Sequence, residues 1–455
     1  MLKKTLIPLL FAITLSIVVY FLLAAKYRYD VAQDYRYDLQ NSAHEIASVD
    51  VRQGFFQLTN SKKWDTGFIQ LKVAATLTGY FAEPFVEIVS DQQRSILTFE
   101  RGVRGERFLN LPTSDKTQKQ TIQIIAHHLS IKDQQASVVL FTNPKMQNHP
   151  KVLVIAPHPD DAEIAAFGLY STHDSLILTI TAGEAGSYTY DEIYPNVNQH
   201  YKTKGKLRVW NSITIPMLGN VMPEHAINLG YFDSTLQQMA QDKRKSVHSL
   251  YTDIDDVNYF RKQNLSSLTP VSSGKANWQS LVSDLKQILL TFHPDIIVTP
   301  YPAIDSHPDH KLSTVAVIEA IKTLNLQQGQ LFLYTNHFTG SSYFPYGKQE
   351  ELMAIPPDLN KSLYFNSIYS FVLSQPKEKI LALEAMNDLR LDTSWQDISG
   401  AFKILGKALG NKLMQNDTTY FRRAVRANEL FLVVDFSRLY QSGPIKALNE
   451  LKHTK

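Results

Sequence analysis

The tripeptide His-Pro-Asp occurs three times in this 455-residue chain, at positions 158–160, 293–295 and 307–309. The first copy lies in APHPDDAEI, where a second aspartate follows directly, and the third lies in IDSHPDHKL, where a second histidine follows. Histidine and carboxylate side chains bind zinc and can also transfer protons during hydrolysis. Since the chain has no cysteine, any bound metal must be held by these residue types. The first and third copies are therefore candidates for a metal site.

The first copy has a second interpretation, because Asp160 with Glu163 three residues later could cap the helix that follows. A carboxylate there would also favour the positive end of the helix dipole. Capping explains one acid. It does not explain the neighbouring His158 and Asp161, which the prolines on either side of the histidine place in extended backbone. Taken alone, these residues fit both interpretations.

Short apolar runs alternate with helical patterns from Lys151 onward, which predicts a mostly parallel sheet covered by helices. KVLVIAP precedes the first His-Pro-Asp copy and PDIIVTPY precedes the third, whereas His293 precedes a strand. In open α/β sheets, ligands bind beyond the carboxyl ends of the strands. His307 and His310 open a helix and, three residues apart, can face one direction. We therefore expect the first and third copies at the functional edge, and the middle copy in a turn at the other.

Charge and composition exclude one class of partner. With 46 basic and 43 acidic residues, the formal net charge is only +3, which is too small to indicate a nucleic-acid-binding face. At 44% hydrophobic residues, the chain can bury a substantial core and is long enough for two or three units. We expect a globular protein with no nucleic-acid partner.

The N-terminal segment 5–25 is uncharged and, as a helix, would span about 30 Å of hydrocarbon. We interpret it as a retained transmembrane anchor, because the apolar run is long for a signal peptide and its end fits a cleavage site poorly. Lys3 and Lys4 before the run are opposed by Lys26 and Arg28 after it, and between the two orientations we favour a cytoplasmic N-terminus. This predicts a single-pass membrane protein whose catalytic domain is extracytoplasmic, either periplasmic or extracellular.

The next region, residues 29–148, carries short alternating runs separated by polar turns. The runs are GFIQLKVAATL, PFVEIV, SILTFE, TIQIIAHHL and SVVLFTN. This pattern predicts a small antiparallel β-sandwich. Trp64, Phe81 and Phe99 could stack on a sugar, although aromatic residues on strands usually belong to a core. We interpret the region as an accessory domain.

APHPDDAEI and SHPDH, with TAGEAGS, LRVWNSI and LGYFDS between them, resemble the PIG-L/LmbE-like family of zinc-dependent deacetylases acting on N-acetylglucosaminyl and related amide substrates. The resemblance covers about residues 151–335. The commonest family pattern places glutamate directly after the aspartate pair, whereas here Ala162 separates Asp161 from Glu163.

The resemblance implies roles for the residues of both histidine motifs. The Zn²⁺ ligands would be His158, Asp161 and His310. Asp160 would be the general base that takes a proton from zinc-bound water. A protonated His307, held by Asp309, would stabilise the oxyanion and protonate the leaving amine.

The intervening motifs imply contacts with the substrate. Arg208 and Asp233 occupy places where the family contacts its sugar, although an arginine on an amphipathic stretch is ordinarily solvated. Glu184 would lie at the rim of the site or, alternatively, serve in a turn.

Along the chain, these expectations give a transmembrane anchor at 1–28, a β-sandwich domain at 29–148 and a PIG-L/LmbE-like deacetylase domain at 149–455. The last would be an α/β unit with a mostly parallel, Rossmann-like sheet and helices on both faces. The leading hypothesis is a membrane-anchored zinc-dependent deacetylase that acts on an amino sugar in a glycan, glycolipid or glycoconjugate. The alternatives are a zinc hydrolase of another amide or ester, or a non-catalytic glycan-binding protein, against which the intact Asp160 argues.

Overall fold

The computed structural model describes most of the chain between Tyr27 and Gln441. The described residues are 14, 27–37, 39, 44–59, 63–90, 93–112, 119–186, 190–271, 273–357, 363–386 and 423–441. The chain forms two compact units. The first comprises Met1–Thr142, Phe338–Gly347 and Glu351–Lys361, and the second comprises Asn143–His337, Lys348–Glu350 and Ser362–Lys455. The division at residues 148 and 149 stays a prediction.

The first unit contains two antiparallel sheets. Its strands are β1 Glu45–Val51, β2 Phe55–Leu58, β3 Thr66–Ala75, β4 Phe85–Ser90, β5 Gln93–Thr98, β6 Arg104–Asn110, β7 Gln120–His127, β8 Leu129–Ile131 and β9 Gln134–Phe141. One sheet has the order β1-β9-β3-β6, with β8 also paired to β3, and the other has the order β2-β7-β4-β5. In β3, Leu71 and Val73 are buried and Lys72 between them is exposed, because successive side chains of a strand face opposite sides.

The aromatic residues proposed for sugar stacking differ in exposure. Trp64 and Phe99 are buried in the hydrophobic core of the first unit, whereas Phe81 is 46% exposed. The two buried rings therefore serve packing.

The second unit is built around a seven-stranded sheet. Its strands are β10 Val152–Ala156, β11 Ser175–Thr181, β12 Ala226–Tyr231, β13 Ile296–Pro300, β14 Gln330–Tyr334, β15 Ser367–Val372 and β16 Asn428–Asp435. The α-helices with both bounds among its described residues are α1 Asp161–Ser171, α2 Val197–Thr214, α3 Leu236–Gln241, α4 Asn258–Arg261, α5 Trp278–Phe292, α6 Pro308–Thr323 and α7 Pro376–Ala385. Short 3₁₀ helices occur at Leu77–Tyr80, Pro144–Asn148, Ile215–Gly219, Pro223–His225 and Phe436–Tyr440.

The sheet of the second unit is mixed, which corrects the predicted fold. The strand order is β12-β11-β10-β13-β14-β16-β15. The first five strands pair in parallel, whereas β16 is antiparallel to both β14 and β15. Strand β16 contains the apolar run LFLVV, and all of its residues except the last are buried. Burial on both faces does not determine strand direction, so the run alone could not reveal this pairing.

The predicted transmembrane helix, membrane partner and single-pass extracytoplasmic location are also corrected. Within the part of the chain that the structure describes, no helix combines the length and apolar character needed to cross a membrane. Of the predicted segment 5–25, only Thr14 is among the described residues. An apolar run gives hydropathy and length alone, and these do not by themselves establish a membrane-crossing helix.

The order of the parallel strands determines where a site can form. From β10 the chain moves outward to β11 and β12, and it then returns to the other side of β10 to form β13 and β14. The connections therefore diverge between β10 and β13. In doubly wound sheets, such a switch point opens a crevice at the carboxyl ends of the strands. The first and third His-Pro-Asp copies follow these two strands.

The middle copy lies at the amino-end edge of the sheet, as predicted. Helix α5 begins after Asn277, whose side chain accepts a hydrogen bond from the Ser280 N–H at 2.9 Å. It ends at His293, which adopts a left-handed conformation with φ 53°. Strand β13 starts three residues later, at Ile296. This copy therefore forms the turn between a helix and the beginning of a strand.

Candidate functional site

All five parallel strands contribute residues to the carboxyl-end edge of the sheet. The residues that follow β10, β11, β12, β13 and β14 include His158 and Asp161, Glu184, Asp233, His307 and His310, and His337, respectively. Three overlapping groups among the described residues could hold a metal ion. They are His158/His307/His310, Asp161/His310/His337 and His158/Asp233/Asp309.

The three predicted metal ligands meet at this edge. His158 Nδ1 lies 3.3 Å from Asp161 Oδ2 and 3.2 Å from His310 Nε2, and the last two atoms are 3.1 Å apart. Zinc binds nitrogen and oxygen at about 2.0–2.1 Å, which places tetrahedral ligands about 3.3–3.4 Å from one another. The donor types and spacing therefore fit a zinc ion bound by three protein ligands.

The charges at this triangle also fit a cation. Burial disfavours protonated His310, but the carboxylates of Asp161 and Asp305 outweigh burial and raise the pKa of His310 to about 10. Burial likewise opposes ionisation of Asp161, yet His310 and His158 hold the pKa of Asp161 well below its usual range. For His158, burial is outweighed mainly by Asp233, which raises the pKa of the imidazole. Protonated histidines thus balance the carboxylates, and a divalent cation could replace those protons.

Each metal-ligand candidate contacts a buried polar partner. His158 Nε2 lies 3.4 Å from Asp233 Oδ1 and 3.5 Å from Asp309 Oδ2. Asp161 Oδ1 accepts a hydrogen bond from Asn336 Nδ2 at 2.8 Å. Such outer contacts orient the ligands of metal sites.

Asp160 occupies the N-cap position of α1 without capping the helix through its side chain. Its side chain makes no capping hydrogen bond, and its backbone has φ 144°, a region that non-glycine residues rarely occupy. Asp160 Oδ2 instead accepts from Arg208 Nη2 at 3.2 Å. Strained backbone of this kind costs about 1–3 kcal/mol and concentrates at functional sites. The capping interpretation of Asp160 is therefore wrong.

Glu163, the other residue of that interpretation, is buried. Its Oε1 accepts a hydrogen bond from the Tyr170 hydroxyl at 3.3 Å. Burial, together with the neighbouring carboxylate of Asp160, raises the pKa of Glu163 to about 8. Glu163 therefore belongs to the polar surroundings of the site.

His307 is the N-cap of α6, and its ring lies beside the metal-ligand candidates. Its Nδ1 accepts a hydrogen bond from the Asp309 N–H at 3.2 Å. The ring centroids of His307 and His158 are 4.7 Å apart. Burial, followed by the charges of His158 and His310, lowers the pKa of His307. Because Nδ1 accepts a hydrogen bond, the neutral ring carries its proton on Nε2.

The carboxylate of Asp309 contacts groups other than the His307 ring that it was predicted to hold. Its oxygens accept hydrogen bonds from the Ser234 N–H at 2.7 Å and the Leu236 N–H at 3.2 Å. The same carboxylate faces His158 Nε2, as described above. Asp309 therefore supports His158 and the start of α3, while its backbone N–H fixes His307.

The three predicted substrate contacts lie around this cluster in different environments. Arg208 Nη2 also donates to the Pro159 carbonyl at 2.8 Å. Burial alone would raise the pKa of Asp233, but the charges of His158 and Arg208 outweigh burial and lower this pKa. Glu184 is completely buried and accepts from the Asp233 N–H at 3.1 Å and from the Ser249 hydroxyl at 2.9 Å. This burial argues against direct contact between Glu184 and a substrate.

Three polar residues of the site were not predicted from the sequence. Asp305 accepts a hydrogen bond from His310 Nδ1 at 3.0 Å, and Asn336 binds Asp161 as described above. The ring centroid of His337 lies 4.7 Å from that of His310, and burial lowers the pKa of His337 to about 4. The sequence carried a signal for these residues, because Asn336 and His337 follow the apolar run QLFLY and Asp305 lies two residues before His307.

A parallel-strand edge that gathers histidines and carboxylates defines a candidate metal site. Residues 153–321 match the family model described as PIG-L: GlcNAc-PI de-N-acetylase. Residues 153–321 therefore carry a PIG-L domain, which confirms the resemblance predicted from the motifs. The match supports a GlcNAc deacetylase-like function.

Comparison with curated protein sequences gave no match. Among solved structures, GalB, the 4-carboxy-2-hydroxymuconate hydratase of Pseudomonas putida KT2440, is 12% identical, with a TM-score of 0.33, covering 63% of this chain and 96% of its own. A family two carbohydrate esterase from Cellvibrio japonicus is 9% identical, with a TM-score of 0.16, covering 66% of this chain and 88% of its own. These values are too low to define a fold or a function.

Proposed function

We propose that the second unit is a zinc-dependent N-deacetylase that removes the acetyl group from an amino sugar of the N-acetylglucosamine type. The observation that carries this proposal is the triangle of His158 Nδ1, Asp161 Oδ2 and His310 Nε2, with edges of 3.1–3.3 Å, inside the segment that matches the PIG-L family. Three protein ligands are the usual number for a catalytic zinc, because the remaining position must admit water or substrate.

Zinc held by these residues would supply Lewis acidity toward the amide oxygen and the attacking water. Asp160 is assigned the role of general base. Its carboxylate directly precedes the ligand Asp161, is held by Arg208 and is partly exposed, so a water molecule can reach it. Asp160 would accept the proton of the attacking water and return it to the nitrogen of the leaving amine. An amide nitrogen leaves readily only when it gains that proton.

His307 is assigned to the developing oxyanion. With Nδ1 occupied by the Asp309 N–H, the neutral ring presents Nε2–H as a hydrogen-bond donor. A donor held in place before the reaction stabilises negative charge on the amide oxygen without reorganisation of solvent. This assignment modifies the role expected from the sequence, in which His307 was protonated.

The test combines acetate release with metal analysis of the purified protein. We expect about one zinc per chain and acetate release from N-acetylated amino sugars, with loss of activity on chelation and recovery on addition of zinc. A panel that contains O-acetyl esters and simple acetamides distinguishes an amino-sugar deacetylase from a hydrolase of other amides or esters. Zinc binding without acetate release from any member of the panel would contradict the proposed reaction.

A further inference from the structure

Asp305 binds two residues of the second histidine motif with its two carboxylate oxygens. Its Oδ2 lies 3.0 Å from His310 Nδ1, and its Oδ1 accepts a hydrogen bond from the His307 N–H at 2.9 Å. The residue is completely buried, and its own N–H donates to the Tyr301 carbonyl at 3.1 Å. One side chain thus joins a metal-ligand candidate to the residue assigned to the oxyanion.

The contact with Asp305 determines which nitrogen of His310 can bind a metal. An ionised carboxylate can only accept hydrogen bonds, so the imidazole proton must lie on Nδ1. The lone pair of the neutral ring then lies on Nε2. That nitrogen is the atom 3.1 Å from Asp161 Oδ2 and 3.2 Å from His158 Nδ1. Asp305 therefore selects the tautomer of His310 that the zinc triangle requires.

We propose that Asp305 is a positioning residue of the metal centre, which fixes the tautomer and ring orientation of His310 and holds the backbone of His307. The inference rests on the proposed function only in taking the triangle as a zinc site. A purely structural role, in which Asp305 does no more than tie down the loop between β13 and α6, would make a different prediction for metal affinity.

The test compares two buried carboxylates of the second unit by replacing each with the amide of the same size. Asparagine at position 305 offers a single acceptor oxygen for two donors, so His310 loses its fixed tautomer or His307 loses its backbone contact. Asp284→Asn is the matched control, because Asp284 is also buried and accepts from the Tyr231 hydroxyl at 2.9 Å and from Arg261 Nη2 at 2.6 Å.

Zinc dissociation constants, measured by chelator competition, give the readout. We expect Asp305→Asn to weaken zinc binding about 10- to 100-fold, the usual effect of removing an outer partner of a metal ligand. Asp284→Asn should leave the zinc affinity unchanged while lowering the melting temperature. An unchanged zinc affinity in Asp305→Asn would overturn the inference, yet the proposed deacetylase function would stand. Absence of zinc binding by the unsubstituted protein would overturn both.

A second measurement needs no substitution and so does not depend on the folding of a variant. In zinc-loaded protein with ¹⁵N-labelled histidine, NMR spectra should show His310 bound through Nε2 and protonated on Nδ1. Metal bound through Nδ1, or a Nδ1 without a proton, would contradict the inference.

Discussion

The same tripeptide lies at opposite edges of the seven-stranded sheet, in two different environments. At the amino-end edge, His293 and Asp295 are exposed, and Asp295 Oδ2 accepts a hydrogen bond from the Lys151 N–H at 2.9 Å. At the carboxyl-end edge, Asp309 is completely buried and His307 lies beside His158. Both copies shape a turn, but of these two only the third copy, at the carboxyl-end edge, lies beside other histidines among the described residues.

The difference shows that strand direction decides what the tripeptide can do. Loops from all five parallel strands converge where the first and third copies lie, so their side chains meet donors from distant parts of the chain. The middle copy joins the end of α5 to the start of β13, and its Asp295 contacts the backbone of Lys151, just before β10. Matched substitutions at the two edges test this distinction.

The largest effect is expected at the metal ligands. His310→Ala removes one of the three proposed protein ligands, so bound zinc should fall below the detection limit of metal analysis and acetate release should fall to background. His293→Ala, the matched change at the amino-end edge, should retain zinc and full activity. Equal zinc contents in the two variants would show that the triangle is not the metal site.

The second effect concerns Asp160, the proposed general base. Asp160→Asn preserves side-chain size and an oxygen that can accept from Arg208, but it cannot take a proton. Turnover should fall by about two to four orders of magnitude, the usual contribution of a general base, with zinc content unchanged. Asp295→Asn serves as the control at the other edge. Normal turnover in Asp160→Asn would remove Asp160 from the mechanism.

A smaller loss of turnover is expected for His307. His307→Ala should lower turnover by about two orders of magnitude, within the range for loss of one oxyanion donor, and should keep zinc. It also removes the helix cap, which costs about 1 kcal/mol. His307→Asn can restore the capping acceptor without the imidazole, so stability should recover while turnover stays low. Recovery of turnover in that variant would assign His307 to capping alone.

The sequence was sufficient to predict where the main chemical groups meet. Uninterrupted apolar runs placed His158 after β10 and His310 after β13, and the parallel arrangement put both at one edge. The sequence did not predict which side chains contact those groups. The contact between Asp309 and His158 depends on how the loop after β12 packs against α6, which no local pattern encodes.

Two features of the fold also lay beyond sequence patterns. The direction of β16 depends on the path by which the chain returns to the sheet, and an apolar run reads the same in either direction. The predicted membrane helix rested on hydropathy and length, and no helix among the described residues has the properties needed to span a membrane. The sequence pattern therefore predicted which strands are buried better than it predicted strand direction or a membrane location.

The smallest expected effect is on stability, at His293 in the copy at the amino-end edge. His293 has φ 53°, where an L-residue costs about 1–2 kcal/mol, and glycine would remove that cost while losing roughly 0.5–1 kcal/mol through its greater freedom when unfolded. His293→Gly should therefore raise the melting temperature of the second unit by about 1–3 °C, whereas His293→Ala should not. Neither change should alter zinc content or acetate release, because His293 faces solvent at the edge away from the site.

Scanning calorimetry, combined with activity assays on both variants, tests this prediction. A loss of turnover in His293→Gly, despite increased stability, would show that the amino-end tripeptide contributes to catalysis and that strand direction alone does not separate the two copies.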